Sequence, residues 1–120
     1  MSVRVLVVED EAIVALAIAD QLADAGFSVV GPAPSVARAL KLIEEVGCDV
    51  AVLDVNLRNE TVEPVARELR SRSTPFLFLS AVSRADLPPG FDDEILLPKP
   101  ARPAVLVAAL QSSRGRSLGS

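Results

Sequence analysis

The chain contains no histidine, tryptophan or tyrosine, and it has one cysteine and four phenylalanines. Without histidine it cannot form an imidazole-based catalytic triad, a histidine-bound metal site or an imidazole general base. Cys48 has no second cysteine with which to form an internal disulfide, which is typical of proteins in the reducing cytoplasm. The absences therefore exclude the histidine-dependent classes of enzyme and metal protein.

The sequence also lacks an unbroken apolar span long enough to cross a bilayer, and it does not open on the basic and apolar regions of a secretory signal. Its net charge is −4, and its twelve basic residues are scattered along the chain. Direct nucleic-acid binding usually needs a basic stripe. We therefore expect a cytoplasmic protein that binds neither a membrane nor nucleic acid directly.

Apolar runs alternate with helical patterns, and the length of 120 residues predicts one domain with one core. The runs predict five strands, at residues 3–8, 27–30, 50–53, 75–79 and 95–97. These strands are almost continuously apolar and are followed by helical patterns. The sequence therefore predicts an α/β fold, a doubly wound parallel sheet with helices on both faces.

The predicted helices follow from the spacing of apolar residues and from their end signals. Val14, Ile18 and Leu22 recur at helical spacing after the first strand, and Ser35 can cap a second helix. A third helix is predicted after the third strand, and a last one at residues 102–111.

Two segments are predicted to depart from this regular alternation. The Pro-Pro-Gly run at residues 88–90 leaves room for only one or two helical turns after the fourth strand, so we expect a shortened fourth helix. Residues 112–120 are polar and contain glycine, which predicts a flexible C-terminal tail. The domain is therefore expected to span residues 1–111.

Polar residues of the types used in binding and catalysis stand at the ends of the predicted strands. Glu9 and Asp10 follow the first strand, Asp54 closes the third, Ser80 ends the fourth and Lys99 follows the fifth. The carboxyl ends of parallel strands meet at one edge of a sheet, where open α/β folds bind ligands. Singly, Glu9 or Asp10 is equally well explained as a solvated loop residue, but together these positions indicate one site.

The acids at this edge predict a cation. Two carboxylates about 4 Å apart repel by roughly 4 kcal/mol at an effective dielectric near 20. Oxygen ligands without histidine or cysteine favour Mg²⁺ or Mn²⁺ over zinc. Lys99 lies between two prolines that restrict its backbone, so its ammonium can be directed at a phosphoryl oxygen or at Asp54. Ser80 offers a hydroxyl to the same phosphoryl group.

The set Glu9-Asp10, Asp54, Ser80 and Lys99-Pro100, in this order and on these strands, resembles the receiver domain of two-component response regulators. The resemblance covers about residues 3–111. It implies the strand order 2-1-3-4-5 of the flavodoxin-like group.

The resemblance also implies the role of each site residue. Asp54 would be the phosphoacceptor, and Asp10 would ligate Mg²⁺ directly, with Glu9 assisting directly or through water. The backbone carbonyl of Asn56 would complete the protein ligands, together with Asp54 itself.

The implied reaction is Mg²⁺-dependent, in-line transfer of a phosphoryl group from a donor phosphohistidine to Asp54. Ser80 would sense the phosphoryl group and Lys99 would pair with it. The partners would be a histidine kinase or a histidine phosphotransfer protein, and a downstream protein target. The chain would catalyse only its own phosphorylation and dephosphorylation, so it is not expected to be an enzyme acting on other substrates.

Three departures from the family pattern concern output. The position three before Lys99, usually a switching aromatic residue, is Leu96, and the phenylalanine expected after Pro100 is Ala101. The third is the Pro-Pro-Gly run at 88–90. Residues 75–81 are similar to a stand-alone, single-domain receiver subgroup with a Pro-Phe-x-Phe-x-Thr-Gly stretch, with serine and alanine replacing threonine and glycine.

Two other protein classes fit the pattern less well than a receiver domain. Phosphatases of the haloacid dehalogenase type also use a strand-end aspartate and Mg²⁺, but their nucleophile follows the first strand rather than the third. A nucleotide-binding fold would carry a glycine-rich loop after the first strand, which this sequence lacks. Two alternatives stay open: an interaction module with a receiver fold that works without phosphorylation, and a phosphate sink for a kinase.

Overall fold

The computed structural model describes residues 2–81, 87–91 and 93–118. The elements in chain order are β1 (Arg4–Val8), α1 (Ala12–Asp24), β2 (Ser28–Ala33), α2 (Val36–Glu45), β3 (Val50–Asp54), β4 (Asn56–Leu57), β5 (Glu60–Thr61), α3 (Glu63–Ser71), β6 (Phe76–Ser80), β7 (Leu96–Pro98) and α4 (Pro103–Leu118).

A five-stranded sheet in the order β2-β1-β3-β6-β7 forms the centre of the protein. Every neighbouring pair in it is parallel. Because β6 and β7 are the fourth and fifth strands of this sheet, the order is the predicted 2-1-3-4-5. The doubly wound α/β fold is confirmed, and all five predicted strands are present within a few residues of their expected bounds.

The core consists of two apolar layers, one on each face of the sheet. Alternate residues of a strand point to opposite faces, so Leu6 belongs to the layer beneath α2 and α3, and Val7 belongs to the layer beneath α1 and α4. Leu22 of α1 and Leu110 of α4 are fully buried in the second layer. Helices on both faces leave only the strand ends open to ligands, as in other parallel sheets.

A small antiparallel hairpin, β4–β5, follows Asp54 where the sequence indicated a loop. Its turn includes Asn59, whose φ of 63° lies in the left-handed region that asparagine tolerates. Leu57 on β4 is buried. Strands of two residues are too short to produce a recognisable period of alternating residues, so sequence reasoning missed this hairpin.

The predicted fourth helix is short, and the described residues between β6 and β7 do not extend it. Residues 87–91 and 93–95 contain no helix, and the run instead turns twice, with Phe91 N donating to Pro88 O and Glu94 N donating to Phe91 O. Prolines lack the amide donor that a helix needs, and burial of Phe91 and Leu87 fixes the run against the core. Residues 82–86 of the predicted segment lie outside the described residues.

The last helix is longer than predicted. It begins at Pro103 rather than at residue 102 and continues to Leu118, so residues 112–118 are helical. The sequence has no proline after Pro103 to interrupt it, and Ser113 is buried. The domain boundary at residue 111 stays a prediction, and so does the flexibility predicted for residues 112–120. Over the described part of the chain, no helix combines the length and apolarity needed to span a membrane.

Candidate functional site

Three predicted site residues meet at the carboxyl edge of the sheet. Asp54 is the last residue of β3, and Glu9 and Lys99 come directly after β1 and β7. Lys99 Nζ lies 2.6 Å from Glu9 Oε1 and 3.2 Å from Asp54 Oδ1. Glu9 and Asp54 are 1% and 5% exposed, so both acids are held away from bulk water beside one ammonium group.

Backbone hydrogen bonds continue past the strand ends and fix the positions of these side chains. Glu9 N donates to Ala33 O at 3.0 Å, and Lys99 N donates to Ser80 O at 3.0 Å. The Glu9 side chain is fixed as well, because its Oε2 accepts a hydrogen bond from Glu11 N at 3.2 Å. The lysine is therefore positioned from the sheet and not only by the prolines that flank it.

Asp10 lies at the rim of the site and is held by the hairpin. Its Oδ2 accepts a hydrogen bond of 2.8 Å from Arg58 N, and Arg58 Nε lies 3.9 Å from the same oxygen. The Asp10 side chain is 15% exposed and the Arg58 side chain is 77% exposed. Arg58 was missed by sequence reasoning, because its contact with Asp10 depends on the unpredicted turn between β4 and β5.

The acids form a cluster with the geometry of a cation site. Glu9, Asp10 and Asp54 each offer a carboxylate oxygen, and the three oxygens lie within 4.8 Å of one another. Carboxylate oxygens are the ligands that Mg²⁺ prefers in proteins. Asn56 lies in β4, two residues after Asp54, and pairs with Thr61 across the hairpin. The donor set fits Mg²⁺, and the role of the Asn56 carbonyl stays a prediction.

Without a bound cation, the pKa values of the site residues reflect several acidic groups placed close together. Burial, together with the hydrogen bond and charge of Glu9, raises the pKa of Asp54 to about 7, although Lys99 opposes the rise. Burial alone would lower the pKa of Lys99, but its hydrogen bond to Glu9 and the charge of Asp54 outweigh burial and raise it. Lys99 therefore stays charged at neutral pH, whereas Asp54 is partly protonated.

Asp10 behaves differently from Asp54. Burial tends to raise its pKa, but the hydrogen bond from the Arg58 amide and the interactions with Glu9 and the Arg58 charge outweigh burial and lower it. Asp10 is thus a carboxylate at neutral pH. The edge of the sheet combines a charged carboxylate at the rim with a buried carboxyl group beside an ammonium.

Ser80 and Leu96 lie on the two neighbouring strands β6 and β7, two positions apart in register. Ser80 is 2% exposed at the end of β6, and its carbonyl is the acceptor for Lys99 N. Leu96 is half-buried, pairs in register with Phe78 and packs against the layer beneath α2 and α3. Ser80 is therefore buried at the end of β6 beside Lys99, and leucine fills the position at which the family usually has an aromatic ring.

An apolar groove opens beside Lys99 on the α1–α4 side of the sheet. It has a volume of about 330 Å³, and its lining includes Lys99, Pro100, Ile13 and Val14. Ile13 is 85% exposed and Leu16, on the same helix, is 60% exposed. Large apolar side chains exposed this close to a polar site mark a surface that a partner can cover.

Comparison with known proteins agrees with the fold. Residues 5–111 match the response regulator receiver domain. A protein-glutamate methylesterase/protein-glutamine glutaminase of Halobacterium salinarum is 38% identical over 82 residues, which are 68% of this chain and 24% of that protein. The transcriptional regulatory protein PdtaR of Mycobacterium tuberculosis is 32% identical over 85 residues, 70% of this chain and 42% of that protein.

Solved structures match over nearly the whole chain. SdrG from Sphingomonas melonis Fr1 has a TM-score of 0.81 at 37% identity, covering 92% of this chain and 95% of that one. A response regulator receiver protein from Sinorhizobium medicae WSM419 has a TM-score of 0.78 at 28% identity, covering 97% of both chains.

The five-stranded parallel sheet with its acid cluster defines a flavodoxin-like α/β protein of the receiver class. The chain belongs to the response regulator receiver domain family of two-component signalling. It spans less than half the length of the curated relatives described above.

Proposed function

We propose that this chain accepts a phosphoryl group on Asp54 from a donor phosphohistidine, with Mg²⁺ held by the acid cluster, and thereby changes its interactions with other proteins. The observation that carries the proposal is the position of Lys99 Nζ, 3.2 Å from Asp54 Oδ1 and 2.6 Å from Glu9 Oε1. An ammonium shared between two buried acids is placed to bind the oxygens of a group arriving at Asp54.

In the proposed reaction a carboxylate oxygen of Asp54 attacks the phosphorus in line with the bond to the donor imidazole. The new P–O bond forms on Asp54 as the P–N bond breaks, and the electron pair of that bond returns to the imidazole nitrogen. Asp54 must be deprotonated to attack. Its raised pKa means that a nearby positive charge increases the reactive fraction at neutral pH.

Glu9 and Asp10, with Asp54 and the Asn56 carbonyl, would hold the ion. When bound, Mg²⁺ supplies positive charge that neutralises the acids and the equatorial phosphoryl oxygens. Lys99 would supply a second positive charge beside Asp54. The family's chemistry in this region supports these roles, and so does the mutual distance of the three carboxylates.

Ser80 would donate its hydroxyl to a phosphoryl oxygen and so detect phosphorylation. Its position supports this role, because it ends β6 beside Lys99 and is buried at the site. A movement of the Ser80 side chain toward the phosphoryl group would shift the end of β6 and the segment that follows it.

The donor would be a histidine kinase or a histidine phosphotransfer protein, and the exposed apolar residues beside the site support a protein donor. Ile13 lines the same groove as Lys99, and Leu16 is exposed one helical turn further along α1. A macromolecule delivering a phosphohistidine to Asp54 would cover this surface. We further infer a cytoplasmic location, a domain of residues 1–111, no direct binding of nucleic acid or membrane, and no activity on other substrates.

A phosphate sink is the second candidate. The observation that favours it is Leu96, which has no ring with which to couple phosphorylation to an output surface in the way usual for the family. A chain that accepts a phosphoryl group but lacks that route would drain its kinase without engaging a target. A third candidate is an interaction module that works without phosphorylation. The complete acid cluster argues against it.

Incubation with acetyl phosphate and Mg²⁺, followed by intact-mass analysis, tests the proposal. The wild-type protein should gain one phosphoryl group only when Mg²⁺ is present. Asp54→Asn should gain none while keeping its circular dichroism spectrum. Undiminished labelling of Asp54→Asn would overturn the assignment, and labelling in excess EDTA would overturn the metal requirement.

A further inference from the structure

Among the described residues, two cationic side chains contact the acid cluster, and they differ in exposure and in contact distance. Lys99 has a side chain 17% exposed and contacts Glu9 and Asp54 at 2.6 and 3.2 Å. Arg58 has a side chain 77% exposed and contacts Asp10, with its Nε 3.9 Å from Oδ2. The lysine is thus a fixed part of the site, whereas the arginine lies at its solvent-facing rim.

Arg58 contacts Asp10 in two ways that can be separated. Its main-chain N–H donates to Asp10 Oδ2 at 2.8 Å, which any residue at this position could do. The guanidinium lies beyond hydrogen-bond length from the same oxygen and interacts through charge. Substitution of the side chain therefore removes the charge while leaving the amide hydrogen bond that orients Asp10.

We propose that the Arg58 guanidinium is an exchangeable counter-cation, which neutralises Asp10 while Mg²⁺ is absent and lowers the affinity of the site for Mg²⁺. This inference rests on the proposed binding of Mg²⁺ by the acid cluster. A cation within 4 Å of Asp10 Oδ2 stabilises the metal-free protein and repels a second cation arriving at the same carboxylate. Arg58 therefore sets the Mg²⁺ concentration at which the site fills.

The 3.9 Å between Arg58 Nε and Asp10 Oδ2 and the exposure of the Arg58 side chain allow the guanidinium to give way to a metal ion. Ion pairs between exposed side chains are weak and sensitive to salt, so the guanidinium can leave Asp10 at little cost when a divalent ion arrives. A buried pair such as Lys99–Glu9 could not exchange in this way, because separating it would leave buried charges without partners.

The test compares Mg²⁺ affinity, measured by NMR titration at low ionic strength, in wild type, Arg58→Gln and Arg58→Lys. Arg58→Gln should bind Mg²⁺ roughly two- to fivefold more tightly, the range expected for a weak exposed pair. Arg58→Lys should stay near wild type because it keeps the charge. Lys41→Gln is the matched control, since the Lys41–Glu45 pair is also 3.9 Å long and exposed but lies on α2.

Thermal unfolding supplies a readout that does not depend on phosphorylation. In EDTA, Arg58→Gln should unfold at a lower temperature than wild type, and at saturating Mg²⁺ the difference should disappear. A purely structural role would instead lower stability equally in both conditions and would not tighten Mg²⁺ binding.

The outcomes separate this inference from the proposed function. If wild type itself does not bind Mg²⁺, the proposed metal requirement fails. If wild type binds Mg²⁺ and Arg58→Gln binds it equally or more weakly, or Arg58→Lys behaves as Arg58→Gln does, the counter-cation role is overturned and the proposed function stands.

Discussion

Arg70 of α3 lies over the ring of Phe91, with its guanidinium carbon 3.9 Å from the ring centroid. The same guanidinium donates to Gly90 O and to Glu94 Oε2, both at 2.8 Å. Phe91 in turn lies edge-on to the ring of Phe78 in β6. Arg70 therefore holds Gly90, Phe91 and Glu94 against α3 and the core.

Arg70→Ala should destabilise the protein by about 2 kcal/mol, because it removes a cation–π contact and two hydrogen bonds made by a charged donor. Equilibrium unfolding in urea measures the loss. Arg72→Ala is the control: Arg72 pairs with Glu68 one helical turn away and is similarly exposed, so its loss should be about 0.5 kcal/mol or less. Equal losses in the two variants would show that the contacts with residues 90–94 contribute nothing.

Lys99→Gln should destabilise the metal-free protein by roughly 3 kcal/mol at pH 8, because it leaves buried acids without their ammonium partner. The loss should shrink at pH 5.5, where Asp54, whose pKa is raised, is protonated. Phosphorylation by acetyl phosphate should slow at least about tenfold, because the variant has lost a positive charge that binds the phosphoryl oxygens.

The double variant Lys99→Gln, Glu9→Gln is the control for this prediction. If the cost of Lys99→Gln comes from leaving Glu9 charged and unpaired, the double variant should be more stable than Lys99→Gln alone. A double variant at least as unstable as the sum of the single losses would contradict the pairing.

The pKa of Asp54 predicts a pH dependence of stability without metal. Its folded-state pKa, about 7, lies above its usual value of 3.8. The stabilisation from protonating Asp54 is therefore complete below about pH 4 and is lost as the pH rises through 7. Relative to Asp54→Asn, the wild type in EDTA should lose roughly 2 kcal/mol between pH 5 and 7 and change little above pH 8.

The other shifted groups of the site do not titrate in this range. The pKa of Lys99 is raised from 10.5, so its contribution is lost only at higher pH. The pKa of Asp10 is lowered from 3.8, so its contribution is lost only in acid. Urea unfolding of both proteins at several pH values measures the difference, and a wild type that gains stability over Asp54→Asn between pH 5 and 7 would contradict the raised pKa.

The sequence could predict the parts of the site that follow from parallel strands. Glu9, Asp54 and Lys99 converge because each stands where a strand ends, and a parallel sheet brings those ends to one edge. Arg58 and Arg70 could not be predicted in this way. Their partners are 48 residues away for the Arg58–Asp10 contact and 20 and 24 residues away for the contacts of Arg70. Both contacts depend on irregular backbone, which no periodic pattern describes.

The C-terminal end of α4 is another feature that the sequence did not predict. Polar residues and Gly115 suggested an end near residue 111, because glycine and serine have low helix propensity. In the structure the helix continues through them. Propensity is a weak guide, because it amounts to less than about 1 kcal/mol for most residues and about 1 kcal/mol for glycine.

The last prediction concerns how phosphorylation is transmitted. Leu96 cannot act as a switching ring, and the described residues between β6 and β7 form no helix. We therefore expect Ser80, drawn toward the phosphoryl group, to shift the start of the following segment at residues 81–94. The contacts of Arg70 and Phe91 limit how far its second half can move.

Hydrogen exchange with and without phosphorylation tests this route. Protection should change most in peptides covering residues 81–94 and less in α1 and α2, because switching elements come from the less stable parts of a fold. Arg70→Ala should enlarge the change, since it releases the run that Arg70 holds. Asp54→Asn treated with the same phosphodonor is the control and should show no change. A change confined to α4, or none near Ser80, would exclude this route and favour a phosphate sink.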